Sequence, residues 1–392
     1  MIQQVTQGED LEQPVWQELV AAVRLGSLAQ LEHQRVQLGE RFSAYVTHRD
    51  GRGDTLAHFA ARHRRQESLC WLIEVAHVDP TLTNRHGRTP LHEAVDDYAC
   101  LAYLLTALPP DRLDVNTPKR SGWTVLHTAA QKGDVRTVTL LLDYGARPTV
   151  VNKSGFTPLH VACQEGHLAI VKQLVRRDPT VALMANHNGR LPIHIAARGG
   201  FAPLVRWFLE GDGGPEDATT FKAAEGWALA RISPQPPGAT LCALLTAEDH
   251  AGADVYHDAL VGGNLGLLRY LLLQSPEDHP FNTLLRPRLH RVEGATGKSA
   301  AHLAVLTNQL PVLQFLHDHD LLGDPDVRDT WDEWTPLAYA ARYGCVDCAA
   351  YLLRECRADS SLVDRHGRSP LAIAQMWGQR GIIDLLSGGF AS

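Results

Sequence analysis

The chain has 392 residues, 44% hydrophobic and 21% charged, which is the composition of a folded protein and excludes a disordered one. Its formal net charge of −7 weighs against a general nucleic-acid coat, whose domains are usually basic. The start, MIQQVTQGEDLEQ, has no apolar core and no basic lead, so no signal peptide is expected. The longest apolar runs, such as LLRYLLL at 267–273, are far too short to span a bilayer. The seven cysteines (Cys70, Cys100, Cys163, Cys242, Cys345, Cys348 and Cys356) are odd in number and scattered. They fit reduced thiols and an intracellular location, cytoplasmic and/or nuclear.

In chain order, residues 1–50 read as an N-terminal tail and a capping repeat. Within them, 15–34 (VWQELVAAVRLGSLAQLEHQ) reads as two short helices broken at Gly26. Regular repeats then fill 51–210: GDTLAHFAA from Gly53, GRTPLHEAV from Gly87, GWTVLHTAA from Gly122, GFTPLHVAC from Gly155 and GRLPIHIAA from Gly189. The Thr position falls at 55, 89, 124, 157 and 191, a period near 34. Residues 211–250 break the period with GDGGPED and PQPPG, and 226–245 reads as a degenerate, shortened repeat, the alternative being a hinge between half-arrays. Repeats resume over 251–392 with GADVYHDAL, GKSAAHLAV, EWTPLAYAA and GRSPLAIAQ. An insertion loop at 275–293 carries Arg286, Arg288, His290 and Arg291.

Each recurring residue has a physical task. Thr89 or Thr157 caps a helix through its hydroxyl, and Pro90 or Pro158 follows at a position where a missing N–H does no harm. The histidine ties its turn to neighbouring backbone, and the small alanines let helices approach closely. Six residues after the histidine, Gly133, Gly166, Gly200 and Gly263 end the first helix in a left-handed conformation. A second amphipathic helix follows, as in HLAIVKQLV at 167–175. The period and the Thr-Pro-Leu-His core resemble ankyrin repeats. The resemblance implies an all-α fold: an ankyrin-repeat α-solenoid of helix–turn–helix units with β-hairpin tips, about ten repeats counting a capping and a degenerate one.

Three patterns invite chemistry. EGATGKSAAH at 293–302 contains Gly-Ala-Thr-Gly-Lys-Ser, but a phosphate loop needs a glycine at Val292, and the repeat register makes Ser299 a helix cap and His302 the repeat histidine. Cys345-x-x-Cys348 has no second pair at zinc spacing and falls at the start of a second helix. His92-Glu93 with Asp96-Asp97 reads as scaffold and surface charge. No catalytic, cofactor or metal residue is expected, and the chain reads as a non-enzyme.

Function is therefore sought in residues that the scaffold does not demand. The tips before each cap are rich in basic groups: Arg52, Arg85, His86, Arg88, Arg120, Lys153, His187, Arg190, Lys298, Arg365, His366 and Arg368. Aromatic residues join them at Trp123, Phe156, Trp331, Trp334 and Trp377. Exposed Trp beside Arg is the composition of protein-binding hot spots, although Trp123 and Phe156 are equally placed to pack tip on tip. The reading is a non-catalytic scaffold or adaptor that holds a folded protein with an acidic surface on a concave face. The stretches GDTLAHFAARH (53–63), DPTVALMANHNGRLPIH (178–194) and LTAEDHAGADVYHDALVGG (245–263) also resemble ankyrin repeat proteins that accompany an aminoacyl-tRNA synthetase. That resemblance implies alanyl-tRNA synthetase as partner and a regulatory role in translational fidelity. RNA binding by the tips and nucleotide binding at 294–299 are the competing classes.

Overall fold

The computed structural model describes residues 13–107, 113–211, 244–273 and 296–388. The chain forms two compact units, residues 1–161 and 162–392. Every described element is a helix or a turn. The expected hairpin tips are turns, with no strand among the described residues.

A tip is built by one side chain. Asp50 accepts hydrogen bonds from the Arg52 and Asp54 amides at 2.8 and 2.7 Å. Asn84, Asn152, Asn186, Asp249 and Asp364 do the same for the amides two and four residues on. Asp329, in a tip one residue longer, holds the Asp332 and Trp334 amides. A short acceptor satisfies two N–H groups that the turn would otherwise leave open.

The first helix follows. Thr55 caps Leu56–Arg62, and His58 Nδ1 accepts from the Thr55 amide at 3.2 Å. That bond requires an unprotonated Nδ1, so Nε2 carries the proton and donates 2.9 Å to the Arg88 carbonyl in the next repeat. The same bridge joins His127 to Phe156, His194 to Ala247 and His302 to Trp334. Leu191 lacks a hydroxyl, and there the histidine acts alone. In the last two repeats Thr335 and Ser369 cap without a histidine.

In unit 1 the helix Gln13–Leu25 packs on Leu28–Leu38 and on Leu56–Arg62, as the capping repeat requires. Leu56–Arg62 then packs on Gln66–Glu74 and Pro90–Glu93, and Pro90–Glu93 on Val125–Lys132. In unit 2, Pro192–Arg198 packs directly on Val255–Gly262, and so on to Pro370–Trp377. The tips agree: the His250 amide donates 2.9 Å to the Asn188 carbonyl. Repeats whose cap positions are Leu191 and Asp254 are therefore neighbouring layers. The degenerate repeat expected at 226–245 lies, but for Leu244 and Leu245, outside the described residues. Residues 212–243 and the insertion with Arg286, Arg288, His290 and Arg291 lie outside the described residues.

The first helices end as their glycines suggest. Gly166 sits at φ +81°, and a Cβ there would lie 2.5 Å from the Phe201 ring. Two repeats tolerate a side chain at this position, Arg64 (φ 59°) and Asn308 (φ 52°). Small buried alanines, Ala60–Ala61 and Ala129–Ala130 among them, set the helix spacing.

Gly166→Val combines a left-handed backbone with a steric overlap and is expected to destabilise by about 2–4 kcal/mol in urea unfolding. Gly145→Ala, at φ +84° with open space around it, isolates the backbone term and should lose only about 1 kcal/mol. Burial pushes His92, His127 and His302 down to about 4. Their folded values lie below the unfolded 6.5, so stability is complete above about pH 6.5 and falls as pH drops toward 4. Histidine proton resonances followed by NMR should titrate near 4 for these three; midpoints near 6.5 would contradict their burial as neutral rings.

Candidate functional site

The tips stack at backbone contact. In unit 1 the Arg85 amide donates to the Arg52 carbonyl (2.9 Å), Arg120 to His86 (2.9 Å) and Lys153 to Ser121 (3.2 Å). A Cβ on Gly122 would lie 2.7 Å from the Lys153 nitrogen, so the approach needs glycine. This ladder carries Arg52, Arg85, His86, Arg120 and Lys153 along one edge, all exposed. Among the described residues no acidic group pairs with Arg52, Arg85, Arg120 or Lys153. In unit 2 the exposed counterparts are His187, Arg365 and His366, the last 3.7 Å from Asp332.

Three other tip arginines, Arg88, Arg190 and Arg368, are neutralised inside the scaffold. Arg88 pairs with Glu93 at 3.2 Å, and Arg62 holds the same carboxylate at 3.1 Å while reaching Asp54 at 2.9 Å. Burial opposes ionisation of Glu93, but the two guanidinium groups outweigh it and hold the carboxyl below its usual range. Arg190 and Arg198 repeat the arrangement around Asp258, at 3.6 and 3.3 Å, and Arg190 also meets Asp249 at 3.0 Å. There burial wins, and Asp258 is pushed up to about 6. Arg368 pairs with Asp364 at 2.6 Å. Arg88, Arg190 and Arg368 therefore belong to the framework rather than to a free binding edge. The signal was present in the sequence: an acid directly after the repeat histidine, as in His92-Glu93 and His257-Asp258, with an arginine four residues after the histidine of the preceding layer, Arg62 and Arg198.

The aromatic candidates also divide. Trp331 and Trp377 are exposed, 62% and 51%. Trp334 is 4% exposed, its Nε1 donating to Asp364 at 3.1 Å, which corrects its assignment to the surface. Trp123 and Phe156 are half-buried against the histidines of their own repeats, His127 and His160. Arg342 lies over Trp334, Tyr343 and Trp377, at 5.2, 5.3 and 4.7 Å.

The patterns that suggested chemistry have other tasks. Ser299 caps its helix, His302 Nδ1 accepts from the Ser299 amide, and Lys298 lies over Trp331 at 5.3 Å. The Cys345 thiol donates to the Val305 carbonyl, and Cys348 to Asn308, with burial raising both thiols. Asp96 pairs with Lys132, and Asp97 accepts from the Cys100 amide. Among the described residues no three His, Cys, Asp or Glu gather to hold a metal ion. No helix among them is long and apolar enough to cross a membrane.

Beside the unit 1 ladder is a recess of about 490 Å³. Arg52, His86, Arg88 and Arg120 line it together with Arg62, Lys119, Asp54 and Glu93. Lys119 stands five residues before its cap, one further out than Arg85, Arg120 and Lys153, so tip position alone does not single it out.

Residues 105–183, 256–364 and 301–390 match a family model described as ankyrin repeats (3 copies), together more than half of the chain. Over 98 residues the chain is 34% identical to ankyrin repeat domain-containing protein 13B of Mus musculus and of Homo sapiens, covering 24% of this chain and 15% of theirs. Over 70 residues it is 37% identical to the RelA-associated inhibitor of Mus musculus, 17% of this chain and 8% of that protein. The matched stretches thus span only a small part of these relatives. The crystal structure of the ankyrin repeat domain of Bcl-3 aligns with a TM-score of 0.45 at 29% identity, covering 50% of this chain and 86% of that one. With the cap, bridge and left-handed turn recurring layer after layer, the chain belongs to the ankyrin repeat family.

Proposed function

We propose that this chain is a non-catalytic adaptor that binds an acidic segment of a partner protein along the tips of unit 1. Ankyrin repeats are protein-interaction modules, and the family membership supports the general reading. One observation carries the narrower one. Arg52, Arg85, Arg120 and Lys153 are exposed in backbone-stacked register with no acidic partner among the described residues. A protein of net charge −7 that leaves these cations unmatched concentrates positive potential on one edge, which steers an acidic surface toward it. The net charge disfavours RNA as the occupant, since phosphate-dominated binding needs a basic domain. An intracellular setting, cytoplasmic or nuclear, is part of the proposal. Alanyl-tRNA synthetase, implied by resemblance, is the first purified partner to test.

Charge reversal at Arg85, Arg120 and Lys153 to Glu is expected to leave the melting temperature nearly unchanged, because exposed substitutions move stability by only about 0.5 kcal/mol. The same variant should lose a partner that wild type retains in affinity capture, and lose the salt-sensitive part of its association rate. Retention of the same proteins by both forms overturns the docking edge. Binding of purified alanyl-tRNA synthetase by wild type alone supports the narrower reading, and binding by neither form removes it.

A further inference from the structure

Eight tips are described from their opening residue, and seven of these open with Asp or Asn, whose side chain closes the turn; the tip before Ser299 opens at Gly294, outside the described residues. The eighth opens with Lys119. The backbone of that turn keeps its shape: the Lys119 amide donates to the Trp123 carbonyl at 2.9 Å and the Gly122 amide to the Lys119 carbonyl at 2.7 Å. The two amides that an Asp or Asn would satisfy, those of Ser121 and Trp123, have no side-chain acceptor among the described residues. A position that the scaffold fills with a short acceptor instead presents a cation, at the loss of two hydrogen bonds.

The surroundings say what that cation faces. Lys119 Nζ lies 5.0 Å from the centre of the Trp123 ring, and its residue lines the recess with Arg52, Arg120 and Ser121. Of the five cationic residues on the lining, Arg62 and Arg88 are bonded to the two carboxylates present, Asp54 and Glu93. Arg52, Lys119 and Arg120 remain, an excess of three positive charges. Burial, with the charge of Arg88, holds the Lys119 ammonium below the usual lysine value, so the site itself destabilises its own cation. Such a cluster stores an electrostatic penalty that a bound anion removes.

We propose that this recess takes the phosphate of a phosphorylated serine or threonine side chain on the partner protein. This rests on the reading of the unit 1 tips as the docking edge and names the group they receive there. A phosphomonoester carries close to two negative charges near pH 7 and three strong acceptor oxygens. It matches the three unpaired cations better than a carboxylate does, and Arg52 and Arg120 supply forked donors suited to phosphate. The Ser121 amide, consumed in the turns of other tips, is a further donor on the same wall. A volume of about 490 Å³ admits the phosphorylated side chain with its flanking backbone. An RNA phosphodiester carries one charge per group and would meet a chain of net charge −7.

The variant that tests this is Lys119→Asn, which restores the common turn. O-phosphoserine is titrated into the full chain and the amides of residues 119–123 are followed by NMR, with serine, glutamate and oligouridylate as controls. Wild type should show saturable shifts with phosphoserine, weaker ones with glutamate and none with serine. Lys119→Asn should lose those shifts and melt about 2–4 °C higher, through the two regained hydrogen bonds. Equal shifts in both forms, or a lower melting temperature for Lys119→Asn, overturn the assignment. So does a response to oligouridylate without one to phosphoserine. Arg85 and Lys153 lie off the recess lining, so their reversal to Glu separates the two readings. If that variant loses the partner while phosphoserine is inert on wild type, the recess fails and the docking edge stands. If phosphoserine binds while partner binding survives the reversal, the recess stands and the edge fails.

Discussion

The rest of this fold hangs on the histidine bridge. A neutral imidazole accepts from the backbone at the start of its own helix and donates to a carbonyl of the next repeat. It therefore caps a helix and joins two layers with one side chain. Neither helix of a repeat buries enough surface to be stable alone. A residue that couples local capping to the neighbour makes each repeat conditional on the next. The same coupling explains why the ring must stay neutral: protonating Nδ1 would set two donors against each other.

Most of this architecture was legible in the sequence because each layer solves the same problem with the same residues. Thr or Ser at the cap, proline after it, histidine three residues beyond the cap and glycine at the left-handed turn all sat where their chemistry placed them. What was not legible came from contacts one period away. The gap between Leu191 and Asp254 nearly fits two repeats by counting. Contacts such as the bond from the His250 amide to the Asn188 carbonyl and the Arg190–Asp249 pair show that the two tips are neighbours. Likewise Arg88 beside a cap looks free in a linear reading, because Glu93 belongs to a helix face and its second partner, Arg62, comes from the preceding repeat.

The same contacts sort the charges by purpose. Arginines next to a buried acid, in the Arg62–Glu93–Arg88 and Arg198–Asp258–Arg190 groups, link one first helix to the next tip. Their positive charge is matched, and removing either member would strand a buried partner. The tip cations Arg85, Arg120 and Lys153 make no such bond, and their alignment comes from the backbone ladder beneath them. A basic edge on an acidic chain is thus built from the positions that folding leaves unassigned. Trp334 shows the converse: beside a tip in sequence, it is drawn inward by Asp364 and by packing under Arg342.

In a repeat protein, agreement between copies reports what folding requires, and a departure is informative in proportion to what it gives up. His86, Ser154 and Ala251, at one position of three tips, differ while the same turn bond is kept, so their variation says little. Lys119 is different in kind. It replaces a side chain that closes the turn in seven other tips, leaves two amides without that acceptor, and sets an ammonium near Arg88 in a recess that Arg52 and Arg120 also line. Drift toward any neutral residue would relieve the repulsion, and drift toward Asn would also restore the turn. A residue that opposes both tendencies at once is best accounted for by an anion that is absent while the chain folds and present when it works.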